Sequence, residues 1–265
     1  MRKTFRRHKN KEYWDMRWNS VSIDQPMVNV SKYPLKYAIQ SIKNKKETLL
    51  EAGCGNGRIL RYFHNNGYNI HGFDFIERAI ANLQKCDPSL KVKVDDIMQL
   101  SYESEMFDCI LAFGLYHNLE EDGLDIALKE TSRITKMGGS VCASFRADNI
   151  QNLINDHLTS RKQSKGKDQR KEFHKMNLKR RELAILFNKN GFRVNDISPV
   201  ENMPIFYKFR FFRASLHKDF DESLGRKEGY LLSPLGNLLQ KLLIGVFPHQ
   251  FCNIYVLRAE KIENV

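Results

Sequence analysis

Two spacings of apolar residues take turns along the chain. Short runs at Thr48–Ala52, Asn69–Asp74, Lys91–Asp95, Phe107–Phe113 and Val141–Phe145 have the length and the flanking turn residues of strands. Between them, apolar positions fall three and four apart, as at Ile76, Ala79, Ile80 and Leu83. This spacing predicts helices over Arg58–Asn66, Ile76–Cys86 and Leu124–Ile134. Gly67 and Pro88 close the first two helices, and Met137–Ser140, with its Gly-Gly pair, predicts a turn before the fifth strand. An amphipathic stretch, Leu178–Asn190, stops at Gly191 and leads into a sixth strand at Phe192–Val200, and Phe251–Ala259 supplies a seventh. Strand alternating with helix demands a mostly parallel sheet covered on both faces, so the expected fold is α/β, doubly wound and seven-stranded.

Two stretches break the alternation. Ser160–Lys171 is nearly devoid of apolar residues and reads as an exposed loop. Glu201–Gln250 is too long for a structureless connection in a compact domain, and its Met203, Ile205, Phe206, Tyr207, Phe209, Phe211 and Phe212 are too many large apolar groups to stay in water. The insertion is therefore expected to cap the carboxyl edge of the sheet, where open α/β folds bind ligands. The expected organisation is a basic arm with covering helices in 1–46, the core in 47–200, the cap in 201–250, and the last strand and tail in 251–265. Within the cap, Leu235–Phe247 is amphipathic; core packing is the preferred reading over contact with lipid.

Composition narrows the setting. No apolar stretch approaches the roughly 20 residues of a bilayer span, and the basic start lacks the apolar core of a secretory signal, so a cytoplasmic location is expected. The five cysteines are scattered with no C-x-x-C pair, which argues against a disulfide framework or a zinc site. The net charge of +12 is concentrated in two blocks: residues 1–11 carry six Lys or Arg and no acid, and residues 151–182 carry ten basic against four acidic residues. Those blocks read as solvated segments, or as attraction toward an anionic partner such as RNA, a nucleotide-linked or phosphorylated sugar, or an acidic membrane surface.

The chemistry begins at Leu49-Leu50-Glu51-Ala52-Gly53-Cys54-Gly55-Asn56-Gly57-Arg58: an apolar strand, an acid, three glycines at alternate positions, then a helix former. Glycine lets a backbone press against a ligand, and Asp74, nineteen positions after Gly55 at the end of the second strand, stands where a carboxylate can accept from two ribose hydroxyls. The dinucleotide fingerprint G-x-G-x-x-G does not fit, because the third glycine follows at Gly57. The G-x-G-x-G pattern resembles the first motif of the class I S-adenosylmethionine (SAM)-dependent methyltransferases. GFDFIERAI (72–80), VDDIMQL (94–100), FDCILAFGLYHNL (107–119) and ETSRITKMGGSVCASF (130–145) resemble the later motifs of that family, in order.

The resemblance implies a Rossmann-like methyltransferase fold with SAM as cofactor and S-adenosylhomocysteine as product. Its cofactor set would be Glu51, Gly53, Gly55, Gly57, Asp74, Phe75, an acid at Asp95 or Asp96, Ile97 and Phe113. Tyr13, Trp14, Arg17 and Trp18 form an aromatic and basic cluster; similar clusters fold over the cofactor, with Arg17 meeting its carboxylate, and the alternative is a helix docking by Trp14 and Trp18. After the fourth strand, Tyr116, His117 and Asn118 would face the transferring methyl, with His117 as general base. Arg146, Asp148, Asn202, Tyr207 and Lys208 are candidate substrate contacts. Asp148-Asn149 resembles the metal pair of catechol methyltransferases, but Phe113-Gly114-Leu115 lacks the further acid, so no metal is expected.

The leading expectation is methyl transfer to a small or medium acceptor, a hydroxyl of a glycan, nucleotide-sugar or metabolite. An RNA methyltransferase using the two basic blocks is the first alternative, and a SAM-binding scaffold without turnover the second. No Asn/Asp-Pro-Pro-Tyr/Phe sequence follows the fourth strand, which counts against family members that methylate base amines.

Overall fold

The structure, a computed structural model, describes residues 1–6, 8–20, 26–163, 172–200, 203–219 and 231–265. Its sheet has nine strands rather than the expected seven: β1 (Arg2–Arg6), β2 (Thr48–Ala52), β3 (Asn69–Asp74), β4 (Lys91–Val94), β5 (Phe107–Ala112), β6 (Thr135–Ala147), β7 (Glu172–Leu178), β8 (Phe192–Pro199) and β9 (Ile254–Lys261). The order is β1-β7-β6-β5-β2-β3-β4, and β9 pairs with both β6 and β8. The β2/β3, β2/β5, β3/β4 and β5/β6 ladders are parallel, as a doubly wound α/β fold requires. Leu49, Leu50, Ile110 and Leu111 are buried, because a parallel strand with helices on both faces must be apolar nearly throughout.

Helices α1 (Asn10–Ser20), α2 (Leu35–Ser41), α3 (Arg58–Asn65), α4 (Glu77–Cys86), α5 (Glu121–Ile134), α6 (Ile150–Gln163) and α7 (Arg180–Lys189) fill the connections. In α3, Ile59, Leu60 and Phe63 face the core from one side of the helix. The predicted turn at Met137–Ser140 lies inside β6 as a bulge: Phe107 pairs with Thr135 and Cys109 already with Ser140, and Gly138 takes up the excess at φ 73°.

Three expectations are corrected. The basic start is not a free arm, since Arg2–Arg6 pairs antiparallel with β7 and Arg6 lies 3.7 Å over the ring of Tyr13. The exposed loop expected from Ser160 begins later, because α6 continues through Gln163; the rest of it, 164–171, lies outside the described residues. The strand expected from Phe251 starts at Ile254, after a short helical turn at Pro248–Phe251.

The chain divides into two compact units. The first comprises Met1–Phe145, Arg170–Ser198 and Val256–Val265, and the second Arg146–Gln169 and Pro199–Tyr255. In the second, α8 (Pro204–Tyr207), α9 (Pro234–Val246) and α10 (Pro248–Phe251) join α6 around Met203, Ile205 and Ile244, with Leu158, Phe206, Leu243 and Phe251 packed against them. Buried amides pin its backbone: Asn149 Nδ2 donates to the Cys252 carbonyl at 2.7 Å, and Asn152 Nδ2 to those of Ala147 at 2.8 Å and Asn253 at 2.9 Å.

Candidate cofactor site

Strand β2 delivers Glu51 to the head of a loop that turns into α3 at Gly57. Gly55 has φ 50°, and a Cβ there would stand 2.6 Å from Trp18 Cζ2, so no other residue fits without displacing the indole. At Gly57 the Cβ would meet Leu83 Cδ2, also at 2.6 Å. Glu51 Oε2 accepts the Leu60 N–H at 2.7 Å, tying the strand to the first turn of α3.

Asp74, at the end of β3, closes the loop from the other side. Its Oδ2 accepts the Gly55 N–H at 2.9 Å and its Oδ1 the Ile76 N–H at 3.0 Å, so one carboxylate joins the glycine loop to the turn that starts α4. Burial pushes the Glu51 carboxyl up to about 8, against the opposing pull of the Leu60 N–H and of Arg58. Burial also raises Asp74, partly offset by the N–H groups of Ile76, Gly55 and Phe75. Two acids beneath one loop, satisfied chiefly by backbone donors, are costly to bury in the charged form.

The next turn separates its two acids. Asp95 Oδ2 accepts from the Ser101 N–H at 3.0 Å and the Ser101 hydroxyl at 2.8 Å, and Lys93 Nζ lies 3.3 Å away. Asp96 is exposed, with Oδ1 accepting the Met98 N–H at 3.0 Å, beside buried Ile97. Asp95 is therefore a brace of the turn, and Asp96 is the acid presented outward. Phe75 is half-buried just after Asp74.

Helix α1 runs along the same rim. Trp14 stacks on Trp18 at 5.8 Å between ring centroids, Arg17 Nη1 donates to the Tyr13 hydroxyl at 3.3 Å, and Trp18 lies over Gly55. Arg78, in the first turn of α4, holds α1 through Asn19 at 2.6 Å and Asp15 at 3.7 Å. At its other end, Asn10 Nδ2 donates to the Asn118 carbonyl at 2.6 Å. One short helix thus reaches the glycine loop, the first turn of α4 and the loop after β5.

That loop holds the candidate reacting groups. Leu115 Cδ1 lies 3.1 Å from where a Cβ on Gly53 would be, and a 3-10 turn, Tyr116–Asn118, follows. Phe113 meets Tyr33 edge-on at 5.7 Å, and Ser144 Oγ accepts from both the Tyr33 hydroxyl at 3.0 Å and the Gly114 N–H at 2.9 Å. Tyr116 does not face a transferring group: it is fully buried, shares a 2.7 Å hydrogen bond with Thr131 Oγ1 and stacks on Phe145. Burial raises its phenol far above the usual range. Asn118 gives its amide to the carbonyls of Gly114 and Leu115, closing the turn. His117 sits between them, 8% exposed.

The remaining substrate candidates belong to the second unit. Arg146 Nη1 donates to Asn253 Oδ1. Tyr207 is buried with its hydroxyl 2.8 Å from His217 Nδ1, and Lys208 Nζ donates to the Asn155 carbonyl at 3.0 Å and to Thr159 Oγ1 at 2.7 Å; these two are structural members of that unit rather than open pocket walls. Asp148 is half-buried, and Asn202 lies outside the described residues. Tyr33 and Ser144, which carry no local signature, were missed beside the loop after β5; Trp18 belongs to the cluster expected from the sequence and lies over Gly55. Among the described residues no three His, Cys, Asp or Glu side chains converge as a metal cage, and no helix is long and apolar enough to cross a membrane.

A loop that admits no Cβ at Gly55, an adjacent carboxylate at Asp74 and an aromatic helix above them fit a nucleoside with a charged amino-acid end. Comparison with known proteins agrees. The methyltransferase-domain family model matches residues 50–143. An uncharacterized methyltransferase of Schizosaccharomyces pombe is 32% identical over 77 residues, 28% of this chain and 53% of that protein. A ubiquinone biosynthesis O-methyltransferase of Coxiella burnetii is 23% identical over 128 residues, 47% of this chain and 54% of that protein. The chain thus spans about half the length of the curated relatives it matches. A SAM-dependent methyltransferase from Methanosarcina mazei has a similar fold, with a TM-score of 0.57 and 17% identity over 87% of this chain and 98% of the other. Glycine loop, acidic strand end and family match converge on one conclusion: residues 50–143 form a methyltransferase domain of the class I SAM-dependent family.

Proposed function

We propose that this chain transfers the SAM methyl group to a hydroxyl of a small or medium acceptor, with His117 taking the proton. The observation that supports this reading is the placement of His117, one residue beyond Tyr116 in a turn whose Leu115 abuts Gly53 of the cofactor loop. The cofactor supplies an electrophilic methyl on a sulfonium. Gly53, Gly55 and Gly57 would let the backbone approach it, Asp74 would hold the ribose hydroxyls, and Asp96, Ile97 and Phe75 would line the adenine. Trp14 and Arg17 of α1 would cover it, and Phe113 would support the methyl-bearing end.

Much of the acceleration of such an in-line displacement comes from positioning and exclusion of water, which the aromatic helix over the loop favours. A hydroxyl acceptor adds a proton to be removed, and the imidazole is the only side chain of the turn suited to it near neutral pH. The Coxiella relative's name, an O-methyltransferase, points the same way.

The test has two arms. Labelled SAM is incubated with the protein and with cell extract separated into small molecules, glycolipid and RNA, and the fraction that takes the label defines the acceptor. On that acceptor, His117→Ala is expected to lower kcat by about 10²- to 10⁴-fold with SAM affinity unchanged; full turnover removes the base assignment, and label in RNA alone replaces the acceptor class.

A further inference from the structure

Helix α9 presents its apolar residues to the wrong side for a core helix. Ile244 is 6% exposed and packs with Met203 and Ile205, while Leu235, Leu238, Leu242 and Val246 are 54%, 64%, 58% and 58% exposed. Those four are spaced three, four and four apart, so they form one stripe on the helix face opposite Ile244. The preference for core packing of this stretch is thereby corrected: one face is buried and the more apolar one is open. Phe247, just past the end of the helix, is also exposed at 56%, and the same unit exposes Phe209, Phe211 and Leu216. This second patch is tied to the start of α9, because Phe212 accepts the Ser233 N–H at 2.7 Å and Ala214 donates to the Leu231 carbonyl at 3.0 Å.

Two stretches of the unit carry charge of one sign. Residues 231–255 contain Lys241 and no acid, and residues 203–218 contain Lys208, Arg210, Arg213 and Lys218 and no acid. Lys208 and Arg213 are engaged internally, whereas Arg210, Lys218 and Lys241 are exposed, and Arg210 has Asp219 at 3.9 Å. An apolar stripe flanked by basic residues and aromatic rings complements the interface of a bilayer with anionic headgroups. A second copy is the poorer occupant, since a two-fold contact through this face would set the same cations against each other.

We infer that α9, with the Phe209–Lys218 segment, is a peripheral docking surface for an anionic lipid bilayer. Leu235, Leu238, Leu242, Val246 and Phe247 enter the headgroup boundary, and Arg210, Lys218 and Lys241 meet lipid phosphates. The inference is independent of methyl transfer.

The experiment is flotation of the full chain with phosphatidylcholine vesicles in which about a third of the lipid is phosphatidylglycerol. Wild type is expected to float with these vesicles and not with pure phosphatidylcholine. Leu238→Glu combined with Leu242→Glu should lower binding at least about tenfold with an unchanged thermal melt, since both side chains are exposed. Lys241→Glu with Arg210→Glu should lower it severalfold by a charge effect that added salt reproduces in the wild type. Absence of wild-type flotation overturns the inference, as does flotation indifferent to both variants. A dimer in solution that Leu238→Glu dissociates, without vesicle binding, would assign the face to self-association instead.

Discussion

The two units dispose of charge and hydrocarbon in opposite ways. Around the glycine loop, Glu51 and Asp74 are inside and the aliphatic side chains of β2 and α3 are hidden beneath them. In α9 Leu235, Leu238 and Leu242 are outside and no acid occurs anywhere in 231–255. A buried carboxylate is tolerated only where fixed donors await it, and an exposed leucine stripe only where something other than water meets it. Each unit therefore departs from the ordinary pattern at a different place, and each departure marks a candidate working surface.

Five measurements would break or sharpen that contrast. Leu60→Ala, in the fully buried face of α3, should cost about 2–5 kcal/mol by denaturant titration. Gly55→Val should weaken SAM binding about a hundredfold by calorimetry, because a β-branched residue at φ 50° is strained and its branches collide with Trp18 or the ligand. Asp74→Ala should weaken binding at least about tenfold, in line with about 1.5–3 kcal/mol for a hydrogen bond to a charged group; unchanged heats would take Asp74 out of the site.

The fourth concerns pH. Glu51 holds its proton up to about 8 in the folded chain against 4.5 in the unfolded one, so the folded state binds more protons between those values. Its contribution is complete below 4.5 and is lost as pH rises through about 8. Glu51→Gln should flatten that decline, whose slope from one group is at most about 1.4 kcal/mol per pH unit; a parallel pH–stability curve would show that Glu51 is charged when folded. Smallest of all, Leu238→Ala should change stability by less than about 0.5 kcal/mol, and a loss comparable to that of Leu60→Ala would mean the stripe is covered.

Legibility in the sequence followed burial. Strands β2, β3 and β5 are apolar runs with a glycine or acid at their ends, and their parallel pairing needs no other information. Strands β1 and β7 were invisible because RKTFR, at the sheet edge, and EFHKMNL beside it are mostly polar and pair through a contact about 170 residues apart. Gly55 and Asp74 could be assigned to one site because each role demands a residue type. Tyr116 and Asn118 could not be placed, since the side of a short turn on which a ring lies is decided by Thr131 and Phe145, far along the chain. The pair Asp95 and Asp96 shows the same limit: only Ser101 and Lys93 reveal which acid is braced.

The pairing of Arg2–Arg6 with Glu172–Leu178 also sets a timetable for the growing polypeptide. At ribosomal speeds of about 5–20 residues per second, the opening strand waits on the order of 10 to 30 s for its partner to be synthesised. By then the segment from β2 through β5 has long been made. A nascent chain can therefore own a complete glycine loop and its Asp74 clasp well before the antiparallel pair next to the tryptophan helix exists.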